Sequence, residues 1–173
     1  MVLTIGVLGG GAWGSTLAGL LAEAGHHVQI WRRCQGSEGL QALEGVELLV
    51  GATALVGVKG IAEEMRSWAP RPLLSCSKGL DPASGKTASA LWSLSCPQWP
   101  LVVLSGPNLA SELQQGLPAA SVLAGQDDDL LTQLQKELST EQLRFYRNND
   151  PLGTELAGGL KNVMAIASGI CDG

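Results

Sequence analysis

Gly9, Gly11 and Gly14 have the spacing of a glycine turn that lets a backbone approach a pyrophosphate. They follow an apolar, strand-like run and open a helical one, the context in which this pattern is informative. Gly9 permits the tight turn, Gly11 lets the pyrophosphate come close, and Gly14 lets the helix pack on the strand. The N-terminus of the following helix presents free N–H groups and a partial positive charge to the same anion. About 20 residues on, a dinucleotide fold normally places an acid on the adenosine ribose. Here that place holds Trp31-Arg32-Arg33, with no Asp or Glu between Gly25 and Ser37. Two guanidinium groups suit a 2′-phosphate, which points to NADP(H) ahead of NAD(H). The alternative is that both arginines are simply solvated.

Two further loops lie just past the ends of strand-like runs. Lys78 sits in Ser75-Cys76-Ser77-Lys78-Gly79-Leu80, and Gly106 and Asn108 sit in Ser105-Gly106-Pro107-Asn108. Ligands of open α/β sheets collect at that edge, so both loops can converge on one small ligand. Taken singly, each reads as an ordinary turn. Lys161 lies in a long helical pattern, on a face with Thr154, Gly158, Ala165 and Ser168. The other face carries Leu156, Leu160, Val163 and Ala167. A lysine among small and apolar neighbours either lines a cleft or reaches out to solvent. In a cleft, lost hydration would lower its pKa and suit it to proton transfer.

The elements that must position these residues follow from periodicity. Strand-like runs are expected at Val2–Leu8, His27–Trp31, Glu47–Ala52, Pro72–Ser75, Leu101–Leu104, Ala119–Leu123 and Leu143–Tyr146. Helical runs are expected at Ser15–Ala24, Gly39–Leu43, Val58–Trp68, Thr87–Leu94 and from Asp127 to about Leu138. This alternation predicts a Rossmann-type α/β fold with a doubly wound, mostly parallel sheet. A dinucleotide-binding domain is expected over 1–148. The stretch 149–173 is helical in pattern from Thr154 to Cys171, with glycines of weak helix propensity, and expects packing partners.

Composition narrows the function classes. The chain has 173 residues, a net charge of −5 and 45 % hydrophobic residues. That is apolar enough for a core and too acidic for a nucleic-acid or polybasic membrane binder. Cys34, Cys76, Cys96 and Cys171 are scattered, with no zinc-ligand spacing, and read as reduced thiols of a cytoplasmic protein. Pro97, Pro100 and Pro107 break the longest uncharged stretch, so no membrane span is expected, and the N-terminus runs into a strand pattern with no basic n-region, so no leader is expected.

The segments Gly9–Gly14 (GGGAWG), Ile30–Arg33 (IWRR), Ser77–Leu80 (SKGL), Leu104–Ala110 (LSGPNLA) and Leu160–Gly169 (LKNVMAIASG) together resemble the bacterial NAD(P)-dependent glycerol-3-phosphate dehydrogenase family. The resemblance runs the length of the chain in the same order. It implies reversible oxidation of sn-glycerol 3-phosphate to dihydroxyacetone phosphate, a step that supplies glycerophospholipid synthesis. It implies Lys161 as proton donor and acceptor, and Lys78 as a contact to both cofactor and substrate. Gly106 and Asn108 match the substrate loop, and Ala110 a cofactor contact. Ala12, Trp13 and Arg33 match further cofactor contacts, with Arg32 beside them. The family's helical C-terminal domain holds substrate with an aspartate and an arginine–asparagine pair, which this chain does not supply, so the resemblance implies that 149–173 is the start of a truncated helical substrate domain. The segment from Trp31 to Glu47 is shorter than in many members and is expected to lack their second helix. The implied partner is a small phosphorylated substrate, and the last helix is expected to need the absent domain or a second copy, as in a homodimer. Two other readings stay open on sequence: a related dehydrogenase acting on a hydroxyacid or ketopantoate, and a dinucleotide-binding module without catalysis.

Overall fold

The computed structural model describes residues 1–172, apart from the side chains of Asn162 and Asp172. The chain runs β1 (Thr4–Leu8), α1 (Ala12–Glu23), β2 (His27–Trp31), a 3-10 turn (Arg33–Gln35), α2 (Gly36–Gln41), β3 (Leu48–Gly51), α3 (Leu55–Met65), β4 (Leu73–Ser75), α4 (Ala88–Ser95), β5 (Leu101–Ser105), α5 (Ala110–Gln114), β6 (Ala119–Ala124), α6 (Asp128–Leu138), β7 (Leu143–Asn148) and α7 (Pro151–Asp172). The strands form one seven-stranded sheet in the order β2-β1-β3-β4-β5-β6-β7. The first five strands are parallel; β6 runs against β5, and β7 is parallel to β6. The expected doubly wound, mostly parallel sheet is therefore present.

Burial explains the strand composition. β3 and β4 are buried at every residue, as parallel strands covered on both faces must be. One core contains Leu17 and Leu21 of α1, Leu113 of α5, Leu131 and Leu134 of α6, and Phe145 of β7. The other contains Leu40 of α2, Val58 and Met65 of α3, and Leu91 and Trp92 of α4. At the sheet's far end, Arg71 stacks against Trp68 and Trp99, 5.6 and 5.8 Å from the ring centres. Its guanidinium also donates to the carbonyls of Glu44 and Val46, so one cation ties together the loops after α2 and α3.

Two details differ from expectation. The short helix expected over Gly39–Leu43 begins three residues earlier, as the six-residue α2, so the segment after β2 is not without a helix. The short helix α5 lies where no helix was expected, because five residues give too little periodicity to read. On α7, expected to need the absent domain or a second copy, Leu156, Leu160 and Val163 are 37, 55 and 58 % exposed. The small-residue face packs on the sheet edge. A Cβ on Gly158 would overlap the Ser105 hydroxyl, and one on Gly159 would lie 3.4 Å from the Gly79 Cα. A helix brought this close by its backbone cannot present leucines on the same side.

Candidate functional site

The strand order reverses between β1 and β3, since the chain leaves β1 toward β2 and returns to β1's other side. The crevice outside the carboxyl ends of these strands is where open α/β sheets bind ligands. Three connected cavities occupy it. A groove of 360 Å³ is lined by Gly9, Gly11, Arg32 and Arg33, among others. A central cleft of 470 Å³ is lined by Gly11, Ala12, Trp13, Lys78, Gly106, Asn108 and Ala110 together with loop residues described below. A third cavity of 390 Å³ shares Ser105 and Gly106 with the cleft and reaches Lys161. Of the residues singled out from sequence, Gly14 alone lines none of these cavities.

Gly14 is buried and acts beneath the turn: a Cβ there would collide with the Gly9 carbonyl oxygen. Gly9 has φ +114°, and its own Cβ would lie 2.6 Å from the Ala52 carbonyl oxygen. Gly11 differs, because a Cβ there would meet nothing within 4 Å. The space beside Gly11 is therefore left open by the protein. Gly11 caps α1 without any side-chain hydrogen bond, and α1 has no acid in its first turn. Its first N–H groups thus keep their capacity for an anion. Arg32 lies across Gly10, whose Cβ would come 2.5 Å from the Arg32 Nε. Arg33 reaches the other wall, with its Nη2 3.5 Å from where a Gly57 Cβ would stand. Together these features fit a pyrophosphate at the turn and further phosphate at the arginine pair.

The two lysines meet at one loop. Lys78 Nζ donates to the Gly106 carbonyl at 3.0 Å, and Lys161 Nζ donates to the Pro107 carbonyl at 3.1 Å. Burial holds the Lys78 pKa below the ordinary lysine value, and the nearby Lys161 charge adds to the effect. Both lysine side chains are exposed, so Lys161 reaches out to solvent, and only Lys78 loses part of its hydration. Beneath the cleft, burial pushes the Cys76 thiol up to about 12, despite the Trp13 indole beside it and the Lys78 charge, so it stays protonated at neutral pH.

Side chains behind the cleft fix its loops. The Ser77 hydroxyl donates to the Thr53 carbonyl at 2.7 Å, joining the loops after β3 and β4. Asn108 Nδ2 donates to the Ser121 hydroxyl at 2.6 Å, which pins the loop after β5 to β6. Sequence reasoning missed Thr53, Leu55, Cys76, Ser77 and Ser121 of the cleft. Thr53 and Leu55 follow a strand's carboxyl end, and that position was the available signal. Ser121 lies within a strand and carried none. No cluster of three metal-binding side chains occurs among the described residues, and no helix among them is long and apolar enough to cross a membrane.

Residues 4–39 and 34–131 match the model of the family described as NAD-dependent glycerol-3-phosphate dehydrogenase N-terminus. The chain belongs to that family. A glycerol-3-phosphate dehydrogenase [NAD(P)+] of Synechococcus sp. (strain RCC307) is 75 % identical over the whole of this chain and 58 % of its own length. One from Synechococcus sp. (strain JA-2-3B'a(2-13)) is 47 % identical over 98 % of this chain and 55 % of its own. The crystal structure of glycerol-3-phosphate dehydrogenase from Coxiella burnetii superposes with a TM-score of 0.85 at 28 % identity, over 99 % of this chain and 61 % of that one. The chain thus spans little more than half the length of the curated relatives it matches. In this glycerol-3-phosphate dehydrogenase family member, the glycine turn, the arginine pair and both lysines all line one continuous crevice.

Proposed function

We propose that this chain supplies the dinucleotide-binding part, over 1–148, and the lysine pair of an NAD(P)-dependent glycerol-3-phosphate dehydrogenase. The reaction interconverts sn-glycerol 3-phosphate and dihydroxyacetone phosphate. The observation that carries this reading is the convergence of Lys78 and Lys161 on the consecutive carbonyls of Gly106 and Pro107, at the end of a cleft that begins at Gly11. Names borne by the relatives support the substrate and the cofactor.

The nicotinamide held in this crevice would supply hydride transfer to and from C2 of the substrate. Lys161 Nζ takes the C2 hydroxyl proton during oxidation and returns it during reduction. The Lys78 ammonium, already facing the Gly106 carbonyl, holds the substrate oxygens and the cofactor together. Gly106 and Asn108 form the substrate loop, and Ala12, Trp13 and Ala110 flank the cofactor. Arg32 and Arg33 take the 2′-phosphate, so NADPH binds more tightly than NADH. We place the protein in the cytoplasm, consistent with four free cysteines. Residues 149–173 begin the substrate-holding domain. The exposed apolar face of α7 is covered by the remaining length that the relatives carry, with a homodimer as the second way to cover it.

The test has two arms. The chain is titrated with NADPH and NADH while Trp fluorescence is followed, and no binding of either would overturn the reading. In a chain extended to the relatives' length, Lys161→Ala should lower dihydroxyacetone phosphate reduction by ~10²-fold or more. Lys161→Arg should fail too, because arginine keeps its proton at working pH. Undiminished turnover in Lys161→Ala removes Lys161 from the chemistry.

A further inference from the structure

Glu155 is a carboxylate at 3 % exposure that lines none of the three cavities of the crevice. Its Oε1 accepts from the Ser89 N–H at 2.9 Å and its Oε2 accepts from the Ser89 hydroxyl. Ser89 lies in the first turn of α4, which has no acid of its own there. Glu155 thus supplies from α7 the negative charge that a helix N-terminus favours. Thr87 caps the same helix, accepting the Ala90 N–H at 3.3 Å, and its hydroxyl lies 3.0 Å from that of Ser89.

Thr87 is also the closing end of the Lys78 segment. It pairs with Leu80 in an isolated antiparallel bridge, and the Asp81 N–H donates to the Lys86 carbonyl at 2.8 Å. The segment from Leu80 to Thr87 is therefore closed on itself, with Lys78 just before it and Ser89 just after. Glu155 grips the far side of this segment, while Gly159 of the same helix abuts Gly79 on the near side. Gly158 faces the Lys78 stem, with its Cβ position 4.0 Å from Lys78 Cε. At 1.5 Å per residue, Lys161 stands about 9 Å along the axis from Glu155, so a tilt at one is carried to the other.

We propose that Glu155 is a positioning residue that locks α7 to the Lys78–Thr87 segment and so sets the spacing of Lys78 and Lys161 at the mouth of the cleft. Its importance for turnover rests on the function proposed above; its effect on the two amines does not. Releasing α7 would uncover the Lys78 stem and draw the Lys161 charge away. Both changes would return Lys78 toward an ordinary lysine.

The experiment labels the lysines of the full chain by reductive ¹³C-methylation and follows each methyl resonance against pH. Glu155→Gln keeps the shape but sets an amide donor against the donors of Ser89, and Ser89→Ala removes one donor from the other side. In the unaltered chain, Lys78 should titrate below the ordinary lysine value. Both variants should move the Lys78 midpoint upward. The double variant should move it no further than the larger single change, since both break one interaction. An unmoved Lys78 midpoint in folded variants, with only the melting temperature lowered, reduces Glu155 to a stability residue and overturns the proposal. If Glu155→Gln does not fold, Ser89→Ala decides alone by the same criterion. The titration uses neither dinucleotide nor substrate. A protein that shows the shift but no dehydrogenase activity would therefore sink the proposed function and leave the positioning role standing.

Discussion

Glycines stand at both ends of the crevice, for different reasons. At the β1–α1 turn, Gly14 is required because a Cβ would strike the Gly9 carbonyl oxygen within one strand–turn–helix unit, and Gly9 because its own φ is +114°. On α7, Gly158 and Gly159 let a whole helix approach loops some 50 to 80 residues away in sequence. The first arrangement is local, and its spacing is visible in any chain that uses it. The second is tertiary, and in sequence it resembles a poor helix. Residues that build the glycine turn can therefore be recognised one unit at a time, whereas those around Lys161 gain their meaning only from their partners.

The sharpest way to probe this contrast is to separate two glycines of the same turn. Gly14→Ala forces a Cβ onto the Gly9 carbonyl oxygen, which cannot rotate away. It should cost about 3 kcal/mol, at the upper end of overpacking penalties, and show as a lowered denaturant midpoint. Gly11→Val meets no protein atom near its Cβ, so stability should hold while dinucleotide binding is abolished. Equal destabilisation of the two variants would refute the division between a packing glycine and a ligand-facing one.

The arginine pair tests the same end of the cleft with a smaller effect. Replacing Arg32 and Arg33 by Ala should weaken NADPH by ~1.5–3 kcal/mol for each charge-assisted hydrogen bond removed, and NADH little. Isothermal titration with both cofactors reads the difference. Identical weakening for the two would mean that the arginines do not distinguish the 2′-phosphate.

At the α7 end the expected change is smaller still. Gly158→Ala meets the Ser105 hydroxyl, a group that can rotate, and gains about 1 kcal/mol of helix propensity. Thermal unfolding should therefore change by less than about 1 kcal/mol, and Gly158→Ala combined with Ser105→Ala should be the more stable protein. A large destabilisation from Gly158→Ala would show that this approach is as rigid as the one at Gly14, and the contrast between the two ends would fail.

The smallest effect concerns Lys78. Its pKa is depressed in the folded state, mainly by burial and then by Lys161, so the unfolded chain binds the extra proton more readily. Where the unfolded state holds more protons, stability rises with pH. The penalty is therefore in full force below the folded pKa of Lys78 and fades as pH rises toward 10.5. Lys78→Met should stabilise the protein modestly at pH 7, and the gain should shrink as pH approaches that value. Denaturant midpoints of both proteins at several pH values would show it, and a gain that grows with pH would contradict the assignment.

The sequence alone determined the βαβ unit, the alternation that builds the sheet, the glycine turn and the arginine pair, because each depends on neighbours within a few residues or on a simple period. It also placed Lys78, Gly106 and Asn108 at strand ends, where the geometry of any parallel sheet collects ligands. Tertiary structure decided the rest. It placed α7 with its glycines inward and its leucines outward, since the close approach to Ser105 and Gly79 outweighs the apolar pattern of the helix. It left both Lys78 and Lys161 exposed, with part of the hydration lost only at Lys78, because hydration depends on what packs beside a side chain as well as on the neighbours flanking it in sequence. It paired Glu155 with Ser89, whose 66-residue separation no period spans. Pairings across such distances are chosen by the packing of whole elements, and that choice is made only when the chain folds.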